Sequence, residues 1–216
     1  MMKNPVYANA VTESYAFGDL TRWIRPVDVT NFSSQMFRKT FTLEKMPKQA
    51  VMLAMAANYA EIYVNGEAAM SLSVRSYIFD KVYEVADILP YLREGENVIA
   101  VMNIDTGEEI RAGFAIEVQA DGETVCFTDG SWLYKKEEAF SNPVNYMISG
   151  GGEEVVDAEK LVLGFAALDF DDSAWESAIA AETPKGKPTT SQAPTLQVMQ
   201  QLSPVGYHAY GNGYIF

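Results

Sequence analysis

The side chains of this chain able to do covalent or metal chemistry are few and scattered. Asp169, Asp171 and Asp172 stand close together ahead of Ser173 and Trp175. Such spacing is superficially that of a calcium loop, but the glycine and the distant glutamate of an EF-hand are missing. The better reading is structural: Asp171 or Asp172 caps a short turn, Ser173 bonds locally, and Phe170 and Trp175 pack inward. His208 is the single histidine, and its neighbours supply neither a serine–carboxylate triad nor a zinc site. Cys126, the single cysteine, alternates with Val125 and Phe127 and reads as a small core or second-face side chain rather than a nucleophile. The Gly150-Gly151-Gly152 run follows no strand-to-helix pattern, which makes it a turn and not a phosphate cradle.

Binding of a neutral polyol asks for less: an aromatic ring to stack on the apolar side of a sugar, and polar neighbours for its hydroxyls. Tyr77, Tyr134, Tyr146 and Tyr207 lie in weakly patterned segments. Tyr134, followed by Lys135 and Lys136 and near Asn142, Asn145 and Tyr146, is expected to form the sugar-facing loop. Trp23, Trp132 and Trp175 sit in better patterned stretches and are expected to pack inside.

Strands must position these groups. From Tyr59 to Val64, Ala60, Ile62 and Val64 alternate with Tyr59, Glu61 and Tyr63, the period-two pattern of a half-buried strand. It ends at Asn65-Gly66, a pair suited to the positive φ of a tight hairpin turn. A polar loop, Arg93 to Asn97, feeds an apolar strand from Val98 to Ile104. Met36 to Leu43 puts Phe37, Phe41 and Leu43 on one face and is expected to be the first strand. Val51 to Ala56 is apolar on both faces, so it should be central and covered on both sides. Gly113–Gln119 and Thr124–Thr128 should form a hairpin at Asp121-Gly122. Glu67 to Ile78 is poorly patterned, and Asp87 is expected to cap a single helical turn ahead of Pro90. The whole predicts an all-β, jelly-roll-like sandwich with less than roughly a fifth helix. Its core should contain Phe37, Phe41, Leu53, Ile62, Val64, Ile99, Val101, Phe114, Ile116 and Val118.

In wording and order several segments resemble the N-terminal, galactose-binding-like β-sandwich of bacterial α-L-rhamnosidases. They are Trp23-Ile24, F-R-K-T-F-T-L from Phe37, N-Y-A-E-I-Y-V-N-G from Asn58 and L-R-E-G-E-N-V-I-A-V from Leu92. T-D-G-S-W from Thr128, Val156-Asp157-Ala158 and F-D-D-S-A-W from Phe170 continue the series. The match departs at Glu84 and Ala86, where Asp and Thr are usual, and at Val156 and Glu159, which replace Tyr and Arg. The resemblance implies a non-catalytic, carbohydrate-associated module of an inverting glycoside hydrolase. Those enzymes carry their two catalytic carboxyl groups in an α-helical barrel downstream. This chain has no segment with the length or helical period of that barrel, so no catalytic residue is assigned and the chain alone is expected not to be an enzyme. The implied partners are rhamnose-containing glycans and the downstream domains of the same enzyme. No cofactor is implied, apart from the structural Ca²⁺ that some sugar-binding sandwiches carry.

Residues 1–35 read as a lead-in, 36–182 as the sandwich, and 183–195, with Pro184, Pro188 and Pro194, as a linker. Residues 196–216 read as the incomplete start of a second β unit, and Tyr214-Ile215-Phe216 as an apolar end that needs a partner surface. A truncated or split gene product, or an excised domain, is the expectation. Hydrophobic content of 48% and charged content of 21% are those of a globular protein. The net charge of -13, with 16 basic residues, argues against nucleic acid, and no apolar run is long enough for a membrane helix. The start lacks the apolar core of a secretory signal. That implies a cytoplasmic protein if Met1 is the native start, and a periplasmic or secreted one otherwise. A purely structural spacer between domains, without ligand, stands beside the sugar-module reading.

Overall fold

In the computed structural model the described residues are 15–27, 33–72, 81–105, 113–144, 153–181, 188–191, 205–206, 208–210 and 213–215. The first strands are β1 (Trp23–Arg25), β2 (Ser33–Leu43), β3 (Ala50–Ala56), β4 (Tyr59–Val64), β5 (Glu67–Leu72) and β6 (Val82–Asp87). Then come β7 (Gly95–Asp105), β8 (Phe114–Ala120), β9 (Glu123–Phe127), β10 (Leu133–Glu137), β11 (Phe140–Val144) and β12 (Glu153–Val156). Short strands follow: β13 (Glu176–Ser177), β14 (Ile179–Ala181), β15 (Thr189–Thr190), β16 (His208–Tyr210) and β17 (Gly213–Ile215). Helix among the described residues amounts to 3-10 turns at Leu89–Tyr91 and Ala158–Lys160.

Two sheets face each other. A seven-stranded sheet has the order β14-β1-β8-β3-β6-β15, with β9 also on β8, and a six-stranded sheet runs β13-β10-β2-β7-β4-β5. The chain crosses repeatedly between them, which is jelly-roll connectivity. Alternation sends Phe37, Phe41, Ile62, Val64, Ile99, Val101, Phe114, Ile116 and Val118 into one buried cluster. There Phe114 meets Phe37 edge-on at 4.9 Å and Trp132 at 5.7 Å. Strand β3 is buried at every position. Met52, Ala54 and Ala56 face the interior, while Val51, Leu53 and Met55 join Trp23 and Tyr83 in a second cluster on the outer face. Leu53 is thus buried as predicted, but on the far side of its sheet.

A strap from Tyr15 to Arg22 covers that second cluster with Tyr15 and Phe17. Its anchor is Glu117, fully buried on the same face. One carboxylate oxygen accepts from the Gly18 amide at 2.7 Å and from the Thr21 hydroxyl. The other accepts from Gln119 Nε2 and Thr124 Oγ1, each at 2.8 Å. The Tyr83 hydroxyl donates to the Tyr15 carbonyl at 2.5 Å and accepts from Thr190 Oγ1 at 3.1 Å.

Four expectations need correction. Trp23-Ile24-Arg25 is not lead-in but strand β1, antiparallel to β14 and β8. Three residues are too few to show a period, and the partners come much later in sequence. Gly113 permits that approach: it has a φ of +94°, and a Cβ there would lie 2.1 Å from the Ile24 carbonyl oxygen. Glu67–Leu72 is not irregular but edge strand β5, whose pairing with β4 shifts between Ile62 and Tyr63. That bulge breaks the alternation a reader looks for. Inside the expected linker, Thr189 and Thr190 pair in parallel with Val82 and Tyr83, an edge position that nearby prolines tolerate. Finally, Asp87 caps from one residue further out: Ile88 is the N-cap, and the Leu89 amide donates to Asp87 Oδ1 at 3.0 Å. In the tail, β16 and β17 form a hairpin of their own, while Leu196–Gln201 lies outside the described residues.

Candidate functional site

Tyr134 does not face a sugar-binding loop. Strand β10 pairs with β2 so that Tyr134 stands opposite Phe37, and this register gives it the inward face of the sheet. Its ring stacks on Phe37 with centroids 5.7 Å apart, and its hydroxyl is 3.3 Å from Glu176 Oε2. At 8% exposure it offers no ring face to a ligand. Lys135 and Lys136 beside it are exposed, and they gave the segment its misleading surface character. Asn142 lies on β11; Asn145, Tyr146, Tyr77 and Tyr207 lie outside the described residues. The three tryptophans are also inside, at 3% (Trp23), 0% (Trp132) and 9% (Trp175) exposure.

The aspartates do not converge on a metal. Asp171 accepts from the Ser173 amide at 3.0 Å, and the bonds from Ser173 hold its carboxyl below the usual range. Asp172 turns instead to Arg38, whose Nε donates to Asp172 Oδ2 at 2.7 Å. No group of three His, Cys, Asp or Glu side chains gathers among the described residues. Cys126 sits in the core at 3% exposure, and burial pushes its thiol up to about 12. It is not poised as a nucleophile.

Arg38 is the group that sequence reasoning missed. It lies on the outer face of β2 yet is 1% exposed. Besides Asp172, it donates from Nη1 to the Ala167 carbonyl at 2.8 Å and to the Phe165 carbonyl, and its guanidinium lies 5.2 Å from the Phe170 ring centroid. The loop of residues 164–175 is thereby pinned across the six-stranded sheet. Phe165 then meets Tyr63 edge-on at 5.7 Å. An arginine between Phe37 and Lys39 reads as a solvent-facing residue; its burial comes from a loop far along the chain.

Beyond that loop the outer face stays accessible along β4 and β5. Tyr59, Glu61 and Tyr63 point outward as the alternation predicts, the tyrosines half-buried and Glu61 exposed. Glu61 stands opposite Ser71 on β5 and Met102 on β7, and Ser71 Oγ donates to Glu61 Oε1 at 2.5 Å. Burial, with Glu61 nearby, raises the Tyr63 hydroxyl above its usual value. The outward Tyr-x-Glu-x-Tyr series was the available sequence signal, since aromatics there replace polar side chains.

The asparagines in the matching motifs close a network at one end of the sandwich. Asn65 donates from Nδ2 to Asn97 Oδ1 and to the Tyr91 carbonyl, each at 2.8 Å, and accepts from the Val98 amide at 2.9 Å. Asn97, fully buried, accepts from the Arg93 amide at 3.0 Å and donates to its carbonyl at 2.8 Å. These motif residues hold loops together.

No family model and no curated protein matches the sequence. Among solved structures, the chain is similar to the GH78 family rhamnosidase of Bacillus sp. GL1, with a TM-score of 0.69 and 25% identity. That match covers 80% of this chain and 20% of the other. The α-L-rhamnosidase of Dictyoglumus thermophilum superposes with a TM-score of 0.70 at 24% identity, covering 90% of this chain and 25% of that one. A lectin from Pleurotus ostreatus, in complex with GalNAc, follows at a TM-score of 0.54 and 18% identity, covering 86% and 50%. The resemblance to rhamnosidases seen in the motifs therefore holds in three dimensions. The fold is a galactose-binding-like β-sandwich, and the chain spans a quarter or less of the length of the rhamnosidases it resembles.

Proposed function

We propose that this chain is a non-catalytic, carbohydrate-associated module of an α-L-rhamnosidase-like glycoside hydrolase, which supports the catalytic domain or holds rhamnose-containing glycan. The observation that carries the reading is the asymmetry of coverage: 80–90% of this chain superposes on 20–25% of much longer rhamnosidases. A lectin of similar fold adds weight to a sugar-related role. Catalytic carboxylates would belong to a further domain, so the isolated chain should not turn over an aryl α-L-rhamnoside above a heat-denatured control. Turnover that survives repurification and disappears on mutating one carboxylate would refute this.

The test of binding is a titration of amide NMR shifts with L-rhamnose, galactose and glucose, with and without calcium. A single monosaccharide buries little area, so about 4–6 kcal/mol is the expected binding free energy, millimolar to high micromolar in affinity. A localised set of shifts for one sugar supports the reading, and a calcium requirement would add the structural ion implied by the resemblance. The spacer reading has its own support in the burial of all three tryptophans. No shift at tens of millimolar sugar would leave the spacer as the function.

A further inference from the structure

We propose that the accessible outer face of β4 and β5 is a platform for neutral carbohydrate, built by Tyr59, Glu61, Tyr63 and Ser71. This rests on the carbohydrate reading above and gives it a place. The four groups lie on one face of one antiparallel pair, so regular strands and not loops fix their spacing. Along β4, alternate side chains are about 6.7 Å apart, which sets Tyr59 and Tyr63 on either side of Glu61 over the length of a short oligosaccharide.

Each residue type has a part in polyol recognition. The tyrosine rings, half-buried, present their outward parts to sugar C–H groups. Glu61 is an acceptor with capacity beyond its one bond from Ser71, and a carboxylate accepts charge-assisted hydrogen bonds from hydroxyls. Met102, opposite Glu61 on β7 and half-buried, gives the platform an apolar floor. Tyr63 is supported from beside it on the same face: Arg38 holds the Phe165 carbonyl, and the Phe165 ring meets Tyr63 edge-on. The bulge between Ile62 and Tyr63 lies beside the Glu61–Ser71 pair, a place where sheets commonly re-aim side chains near functional sites. The net charge of -13 and the exposed carboxylate of Glu61 select a neutral glycan and repel uronic acids.

The experiment titrates the whole chain with a rhamnose disaccharide, and in parallel with a galacturonic acid disaccharide, reading amide shifts and affinity. In the wild type, shifts should concentrate on β4, β5 and β7 with the neutral sugar, while the acidic one binds at least tenfold more weakly. Tyr59→Ala and Glu61→Ala should each weaken rhamnose disaccharide binding about tenfold, the loss of roughly 1.4 kcal/mol. Tyr63→Phe, which keeps the ring, should lose a few-fold. Glu123→Ala, an exposed carboxylate on β9, should bind as wild type. Circular dichroism and the thermal midpoint confirm folding of each variant. Wild-type affinity in folded Tyr59→Ala and Glu61→Ala, or shifts elsewhere, would overturn the platform while leaving the proposed function intact. No shift in the wild type with any sugar would overturn the platform and the sugar-binding reading together.

Discussion

Over the seven-stranded sheet the strap from Tyr15 to Arg22 closes the outer face, whereas over the six-stranded sheet the 164–175 loop covers one part and leaves β4 and β5 accessible. The difference begins in the strands. On β3 the outward positions are Val51, Leu53 and Met55, which must be hidden from water. On β2, Arg38 is followed outward by exposed Thr40 and Thr42, and on β4 by Glu61, so a partial cover suffices. The anchors differ as well. Glu117 is a buried carboxylate met by neutral donors; Arg38 is a buried guanidinium met by a carboxylate and two carbonyls. An apolar face is closed by apolar packing that a carboxylate then locks. A mixed face is closed by the polar anchor itself, and its stability depends correspondingly more on that one side chain.

The sharpest way to break this comparison is Arg38→Ala. It removes the guanidinium donor from Asp172 and from the Phe165 and Ala167 carbonyls. Asp172 keeps 25% exposure and the Ala167 carbonyl keeps the Phe170 amide, so the loss should lie at the low end of that for a buried pair, about 3 kcal/mol. Urea unfolding should show it, and a loss below about 1 kcal/mol would mean that the loop is held by packing alone. Glu117→Gln keeps shape and one acceptor, so about 1–3 kcal/mol is expected. That effect should be confined to the strap, read as faster hydrogen exchange at Gly18 and proteolysis between residues 15 and 22. Unchanged protection there would remove Glu117 as the anchor.

Cys126 separates local from global loosening. With its thiol buried and raised to about 12, it should resist a thiol reagent at pH 8 in the native protein. Glu117→Gln should leave that rate unchanged, while Arg38→Ala should raise it in step with unfolding; the reverse pattern would exchange the roles of the two faces. The smallest effect belongs to Asp171→Ala. The carboxyl is held below its ordinary value of 3.8 by Ser173, so its contribution is present above that value and lost as pH falls through the lower native one. A slightly reduced urea midpoint at pH 7, with the difference from wild type shrinking as the pH falls below 3.8, is the expected outcome.

The core was legible in the sequence because its strands keep a strict period of two; Ile62, Val101 and Phe114 are where alternation puts them. What stayed illegible depends on partners distant in sequence. Trp23–Arg25 becomes a strand only because Phe114 and Ile179–Ala181 arrive beside it. Tyr134 looked exposed beside two lysines, and only its register against Phe37 turns it inward. Arg38 is buried by residues 134 positions away. Of the candidate site, the outward direction of Tyr59, Glu61 and Tyr63 was readable, but not that the 164–175 loop would reach Tyr63 through Phe165 and leave Glu61 exposed.

The longest pairing among the described residues sets a timetable. Strands β2 and β7, each of 11 residues, pair along their full lengths from Ser33 with Asp105 to Leu43 with Gly95, and β10 flanks β2 on its other side. When β2 leaves the ribosome, neither neighbour has been made. At about 5–20 residues per second it must wait seconds for its first partner and longer for its second, with Phe37 and Phe41 uncovered throughout. The hairpins at Asn65-Gly66 and Asp121-Gly122 can close as soon as they emerge. A synonymous slow stretch placed just before β7 would therefore lengthen the exposure of β2 and raise aggregation of the nascent chain, whereas the same delay after β10 would not.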